Sequence, residues 1–444
     1  MKKKENIIKK IVKFTKSQDL DVIPKKTKKI LNLLILDWLA VAFAGQKEPV
    51  SKIVRQLEKN NGGKKESFVI GLLNRLPSKS ATFINAVTGH ALDYDDTHFE
   101  SLGHTSTVVI SSALAVSDRN KSDVKVFKEG VLVGIETAIR IGIWLGRKHY
   151  HQGFHVTATA GIFGSAVAAA HILGLSKRKI INAIGIASSS SSGIKAQFGS
   201  MAKPIQVGFA ASRGVEAAFL AQKGIKADSK ILDKADGYGA TYSAQFKKSA
   251  FFNLGKKYFI NDVKFKFHAC CHGTHSSIEA LIYLRDNYQL KESIIDMIQI
   301  FINPQYLKIC NIEKPKSGLE IKFSYKMIAA LIINKFNTTR LDTFSDKNCN
   351  RKKLLSFCKK VKIIANNKIL ETQSKVIITL VNGKTLKKKY DILDKVSFAT
   401  LENKLFLKAK SLLGEQISSK LWCDKLFENS LPSNWIENNL KYFS

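Results

Sequence analysis

The sequence predicts a mainly α fold with an α+β insert. Three observations predict it. Apolar residues recur at helical spacing through most of residues 1–262. The texture changes near residue 262, where β-branched runs and a hairpin signal appear. Helical spacing then resumes at about Ser397. The expected organisation is an all-helical domain over 1–262, an α+β domain over 263–396, and C-terminal helices over 397–444 that return to the helical domain.

In the first region, Ile7–Thr15, Lys26–Ala44, Ser106–Ala115, Val126–Leu145, Thr157–Leu173, Lys179–Ser188 and Gly208–Gln222 read as helices. The basic start, Met1 to Asn6, reads as a helix beginning; it lacks the apolar run and cleavage site of a signal peptide. Small residues dominate Gly161–Ala170 and Gly208–Ala218, which suits helices that cross closely. Further on, Val263–Phe267 alternates like a strand, Ser276–Asn287 is an amphipathic helix, and Ile294–Ile302 is a β-branched strand. Phe323–Ile333 reads as helix. Lys360–Ala365, Ser374–Leu380 and Thr385–Tyr390 read as strands, with Asn382-Gly383 marking a hairpin turn. Helix resumes through Leu412 and over Ile417–Leu426.

Composition excludes several classes. With 45% hydrophobic and 24% charged residues, a large core is expected rather than disorder. The net charge of +35 comes mostly from lysines spread along the whole chain. Base recognition leans on arginine and aromatic residues, and no nucleic-acid-binding motif is found. Attraction of a small anionic substrate is the simpler use of the surplus. Leu31–Gly45 is interrupted by Asp37, and Ala158–Leu175 by Ser165 and His171, so neither reads as a membrane span. The six cysteines form no disulfide framework, which fits a reducing cytoplasm.

All ten histidines lie between His90 and His275. Most sit in four polar, glycine-punctuated segments: 89–98, 103–106, 153–157 and 268–275. Such crowding points to proton traffic or metal binding. In the 89–98 segment, Asp93 near His104 would orient an imidazole for acid–base work. The EF-hand spacing of a calcium loop is missing. In the 268–275 segment, adjacent Cys270 and Cys271 argue against a zinc site. Ser276 and Glu279 have capping-box spacing, so the segment reads as a helix N-terminus that presents N–H groups to an anion, with Lys264 and Lys266 just upstream. Lys203-Pro204 places a cation at another loop-to-helix junction. Serine-hydrolase, Rossmann and P-loop fingerprints are absent.

Taken in order, these segments resemble the MmgE/PrpD family. The matching stretches are 36–45, 89–98, His104, Gly153-Phe154-His155 with Thr157, Phe198-Gly199 through Lys203-Pro204, 266–275, and Gly318-Leu319-Glu320 with Lys322-Phe323-Ser324. The resemblance covers nearly the whole chain. It implies a large all-helical domain, a smaller α+β lid domain, a homodimer, and chemistry on di- or tricarboxylates without metal or other cofactor.

Carried over by position, the family's active-site pattern falls on Asp93, His104, His155, Lys203 and Lys266. Cys271 and His275 occupy a region where family members vary. The expected catalytic residues are thus Asp93, His104 and His155, and the substrate-binding residues Lys203, Lys266, His275 and Cys271. Thr105 stands where the family usually has proline, and Asp95 where its dehydratases tend to have asparagine.

The family's reactions all involve a carbon alpha to a carboxylate. The leading expectation is a lyase like 2-methylcitrate dehydratase. The alternatives are an epimerase of an iminodisuccinate-like dicarboxylate, a cis-aconitate-type decarboxylase, and an inactive binding protein of the same fold. In this scheme His104, oriented by Asp93, moves the proton. His155 protonates a leaving hydroxyl or the opposite face of the carbanion, and the lysines hold carboxylates.

Overall fold

The protein is described by a computed structural model over residues 6–423 and 430–439. The expectations for residues 1–5, for 424–426 of the last expected helix and for the tail beyond 439 lie outside the described residues. The chain is mostly helical with one small mixed sheet. It divides into two compact units: Met1–Phe265 with Glu415–Ser444, and Lys266–Gly414.

The first unit is helical. Its N-terminal helices are α1 (Ile7–Ser17), α2 (Lys25–Gly45), α3 (Pro49–Asn61) and α4 (Ser78–His90). They continue with α5 (Ser106–Asn120), α6 (Val124–His151), α7 (Val156–Ile172), α8 (Lys177–Ser189) and α9 (Ala202–Lys223). Asn6 caps α1 by accepting the Lys9 N–H.

The core is built around α7, whose residues 156–170 are all buried. It packs against α5, α6, α8 and α9. Small residues make this possible. A Cβ added at Gly164 would sit 2.6 Å from the Gly134 carbonyl on α6, so the two backbones meet with no room for a side chain. No single described helix is long and apolar enough to cross a membrane.

Two of these first-unit helices, α3 and α4, have no counterpart among the sequence expectations. In α4 nearly every residue is buried, including Thr82, Asn85 and Thr88. Its polar side chains serve the interior: Asn85 accepts the Ile70 N–H and donates to the Phe68 carbonyl. A helix without a solvated face shows no period. In α3 only Val50, Ser51 and Val54 are buried, so its apolar stripe is too thin to register. Pro49 in its first turn was the available signal.

The expected strand at Val263–Phe267 is corrected to a single bridge. Thr97 and Lys264 exchange both backbone hydrogen bonds, at 2.9 and 2.7 Å. That bridge pins the end of the acidic loop 91–98.

The second unit holds a four-stranded sheet of order β2-β1-β3-β4, with β1 (Ile295–Ile302), β2 (Val361–Ala365), β3 (Gln373–Leu380) and β4 (Thr385–Asp391). β1 runs parallel to β2, and the other pairs are antiparallel. Asn382-Gly383 makes the β3–β4 turn, with Gly383 at φ +81°. Helix α10 (His275–Asn287) packs on β3, β4 and α11 (Tyr325–Ile333), and α12 (Lys352–Cys358) packs on α11.

The expected capping box at Ser276 and Glu279 does not form. Thr274 is the cap position and makes no side-chain cap bond. Ser276 donates instead to the Thr372 carbonyl, and Glu279 pairs with His268 and Lys404. The pair with Lys404 ties α13 (Phe398–Leu413) to this unit. The chain rejoins the first unit with α14 (Glu415–Cys423) and α15 (Pro432–Asn438). There Ser433 donates to the buried Asp118 carboxylate, and Glu437 forms a two-pronged pair with Arg75.

Candidate active site

Four helix ends in the first unit present the chemistry. α4 ends on His90. His104 lies just before α5, His155 is the cap residue of α7, and Lys203 lies in the first turn of α9. The three helix N-termini among them favour anions. His104 is tied toward α7 by its backbone N–H, which donates to Thr157 Oγ1 at 3.0 Å.

The acidic loop folds back on α4. The Asp93 N–H bonds the His90 carbonyl, and Asp93 takes a left-handed backbone, φ +50°, which aspartate tolerates better than most residues. The reversal brings Asp95 under His90. Both Asp95 oxygens lie 2.9–3.0 Å from His90 Nδ1. The same carboxylate lies 3.2 Å from His104 Nδ1, while His104 Nε2 is 3.4 Å from Asp93 Oδ1. Lys203 Nζ donates to Asp93 Oδ1 at 2.7 Å. The structure therefore brings Asp93, His104 and Lys203 into one constellation. His155 joins them through His90, with ring centroids 6.1 Å apart, and through Phe198, which lies against both His155 and Lys203.

Hydrogen-bond capacity assigns the protons. Ionised carboxylates only accept, so His90 Nδ1 carries its proton toward Asp95. Gln206 does the same for His155. Its Oε1 accepts from the Ile194 N–H and its Nε2 donates to the Ile194 carbonyl, each at 3.1 Å. The amide orientation is thereby fixed, and Oε1 faces His155 Nδ1 at 2.9 Å. His155 Nδ1 must donate, so its Nε2 bears a lone pair.

The Nε2 atoms of both His90 and His155 are buried without a hydrogen-bond partner. Burial first, and then Lys203 and His90, hold His155 well below the ordinary imidazole range. Burial likewise pushes His90 down to about 4, against the opposing pull of Asp95. In this tautomer His155 presents an acceptor at Nε2.

His104 is in a different position. Its Nε2 lies 3.4 Å from Asp93 Oδ1, and its Nδ1, 3.2 Å from Asp95 Oδ1, is buried without a hydrogen-bond partner. Asp95 stays ionised: burial opposes its charge, but His104 and His90 outweigh burial and hold it below the ordinary carboxylate range. Asp96 shows the reverse balance, raised by burial and by the charge of Asp95; it accepts a hydrogen bond from Thr105 Oγ1 at 2.9 Å. Thr105 thus gives Asp96 a partner that proline would not.

Among the described residues, His90, Asp93, Asp95 and His104 also offer ligand atoms within 4.8 Å of one another, a spacing open to a metal ion. The Lys203 ammonium on Asp93 competes for that role.

Three of the sequence candidates lie in the second unit. Lys266 and His275 are buried, and Cys271 is half-buried at the turn leading into α10. Burial, then His272, His268 and Lys266, hold His275 well below the ordinary imidazole range.

Sequence reasoning did not assign roles to His90, Asp95 or Gln206. The first two lay inside the quoted 89–98 segment, five residues apart, and only the left-handed turn at Asp93 brings them together. Gln206 follows Lys203 by three residues on the same helix face, a spacing that was readable.

Comparison with known proteins is consistent along the chain. The MmgE/PrpD N-terminal domain matches residues 9–250, and the MmgE/PrpD C-terminal domain matches residues 268–417. Cis-aconitate decarboxylase of Mus musculus is 30% identical over 343 residues, covering 74% of this chain and 70% of its own length. The Homo sapiens enzyme of the same name is 28% identical over 349 residues, with the same coverage. That of Aspergillus terreus is 28% identical over 301 residues, covering 64% of this chain and 61% of its own. Matched over both halves, with its histidines, aspartates and lysine gathered at the helix ends, the chain belongs to the MmgE/PrpD family.

Proposed function

We propose that the protein is a lyase working alpha to a carboxylate of a small di- or tricarboxylic acid, and that its reaction is loss of CO2 from a cis-aconitate-type substrate. One observation carries this reading: His104 is the one imidazole of the site with a carboxylate oxygen within 3.4 Å of each ring nitrogen. His104 is thus placed to hold a proton beside two carboxylates, and decarboxylation takes up a single proton. One C–C bond breaks and its electron pair stays on carbon, delocalised toward a neighbouring carboxylate. Lys203 stabilises that charge, and His104 delivers the proton to carbon. Asp93 and Asp95 orient His104. The names of the relatives lean the same way.

A second reading has its own support. The bare Nε2 of His155 suits removal of an α-proton, with His104 then protonating a departing hydroxyl, as in a 2-methylcitrate-type hydro-lyase. On the family resemblance, Lys266, His275 and Cys271 remain proposed substrate contacts, and a homodimer the proposed assembly.

Proton NMR in deuterated water separates the readings. Decarboxylation consumes cis-aconitate, releases CO2 and leaves one deuterium on carbon. Water loss from 2-methylcitrate, with cis-aconitate untouched, selects the hydro-lyase. Turnover of neither, nor of an iminodisuccinate analogue, overturns the assignment as an enzyme of this class. Exhaustive chelation is expected to leave turnover unchanged; a loss restored by zinc or iron would give the four-residue donor set a metal.

A further inference from the structure

The second unit contains a thiol pair, Cys271 and Cys310, of which only Cys271 is a proposed substrate contact. Cys271 Sγ and Cys310 Sγ lie 3.1 Å apart, with the Cys310 S–H donating to Cys271. The two residues are 39 apart in sequence and are held from separate sides. The Cys271 N–H bonds the Lys322 carbonyl, and the Cys310 N–H bonds the Tyr306 carbonyl. A bridge between Asn311 and Ser324 and the bond from the Tyr325 N–H to the Cys310 carbonyl fix the second strand of chain.

The two sulfurs are unequal. Cys310 is fully buried, while Cys271 is half-buried. Cys271 opens the turn that leads into the 13-residue helix α10, where backbone N–H groups favour negative charge. It receives a hydrogen bond that a thiolate holds better than a thiol. The Lys266 ammonium is close enough to act on Cys310 and Cys270. Cys310 remains the protonated partner: its bond to Cys271 and its burial both push its thiol up. The neighbouring Cys270 is directed elsewhere, 3.2 Å from Thr274 Oγ1, and burial pushes it up to about 12.

We propose that Cys271 and Cys310 form an oxidant-modification site: Cys271 reacts with hydroperoxides and Cys310 resolves it to a disulfide. The Cys271 thiolate attacks one peroxide oxygen, giving a sulfenic acid and, with one proton, water. The Cys310 thiol then displaces the hydroxyl from Cys271 sulfur and releases a second water. Two thiols are oxidised by two electrons, and one hydrogen peroxide is reduced to two waters. Closing from 3.1 Å to a bonded distance of about 2.05 Å needs only a small shift of two side chains. A thiol-disulfide reductant reverses it.

The test is peptide mapping of the full chain after hydrogen peroxide, with remaining thiols blocked by iodoacetamide in denaturant. The expected result is two fewer alkylatable thiols of the six, a Cys271–Cys310 linked peptide, and restoration by dithiothreitol. In Cys310→Ser, Cys271 is expected to appear as a dimedone adduct instead. No linked peptide in the wild-type chain, or a link through Cys270 or Cys423 instead, overturns the proposal. The readout is mass, so it stands or falls independently of the reaction catalysed. Should Cys310→Ser not fold, the wild-type map and its reversal decide alone.

Discussion

At the scale of single residues, the site depends on which nitrogen of each imidazole carries a proton. His104 faces a carboxylate at each nitrogen and is the donor in both proposed reactions. His104→Ala is expected to keep the native circular dichroism spectrum and lower kcat by at least about 10²-fold; wild-type turnover would remove His104 from the mechanism. Gln206 acts through His155. Its Oε1 holds the Nδ1–H tautomer, and Ile194 holds its amide. Gln206→Leu frees the ring to tautomerise and leaves two Ile194 groups unpaired. If His155 Nε2 is a working base, this variant loses about 10-fold or more in kcat, while Gln206→Glu, which keeps an acceptor, recovers most of it. An equal loss in both variants would reduce Gln206 to a packing residue. These two experiments bear on different nitrogens, so their outcomes are separable.

Elements deliver those nitrogens by ending where they do. His104, His155 and Lys203 all sit at the beginnings of helices, so the core packing of α5, α7 and α9 sets the geometry of the site. One tight joint is between α6 and α7. A side chain at Gly164 meets the Gly134 carbonyl at 2.6 Å and Ala138 Cβ at 2.9 Å. Gly164→Val is therefore expected to destabilise the protein by about 1–3 kcal/mol or more, read as a lower urea midpoint, and to lower kcat by shifting the His155 end of α7. Unchanged stability would mean that α6 and α7 separate at little cost.

Much of this was legible in the sequence, for physical reasons. Helices α1, α2 and α6 announced themselves by apolar spacing, and β3–β4 by Asn382-Gly383. α4 was hidden because it buries polar residues all round, and the Val263–Phe267 alternation was mistaken for a strand because one backbone bridge to Thr97 suffices there. In the site, the histidine-rich segments were visible as composition. The pairing of His90 with Asp95 was not, since it depends on a left-handed residue between them.

Across the whole molecule, buried neutral imidazoles make stability depend on pH in a defined window. Burial pushes His98, His149 and His90 each down to about 4, from an ordinary value of 6.5; Lys264 adds to the effect at His98, a backbone bond to Tyr242 opposes it at His149, and Asp95 opposes it at His90. A folded value below the unfolded one means that the unfolded chain binds protons first as pH falls. The stability these rings contribute is thus complete above about pH 6.5, is lost between there and pH 4, and changes no further below. Each ring is worth on the order of 3 kcal/mol across that window.

Glu279 titrates later. Burial opposes its charge, but His268 and Lys404 hold it at about 2 against an ordinary 4.5, so its contribution is lost only as pH falls from about 4.5 toward 2. The chain also carries a net charge of +35, and acidification adds self-repulsion that resembles the histidine effect. Salt separates the two, because it screens surface repulsion and leaves the burial of an imidazole unchanged. Urea unfolding at several pH values in moderate salt is therefore expected to show stability falling from pH 6.5 to 4. His98→Asn, whose amide oxygen can still accept the Ser101 N–H, is expected to reduce that slope by about 1.4 kcal/mol per pH unit. If stability is flat over this range in salt, or if His98→Asn leaves the slope unchanged, the buried imidazoles are not what makes this fold acid-sensitive.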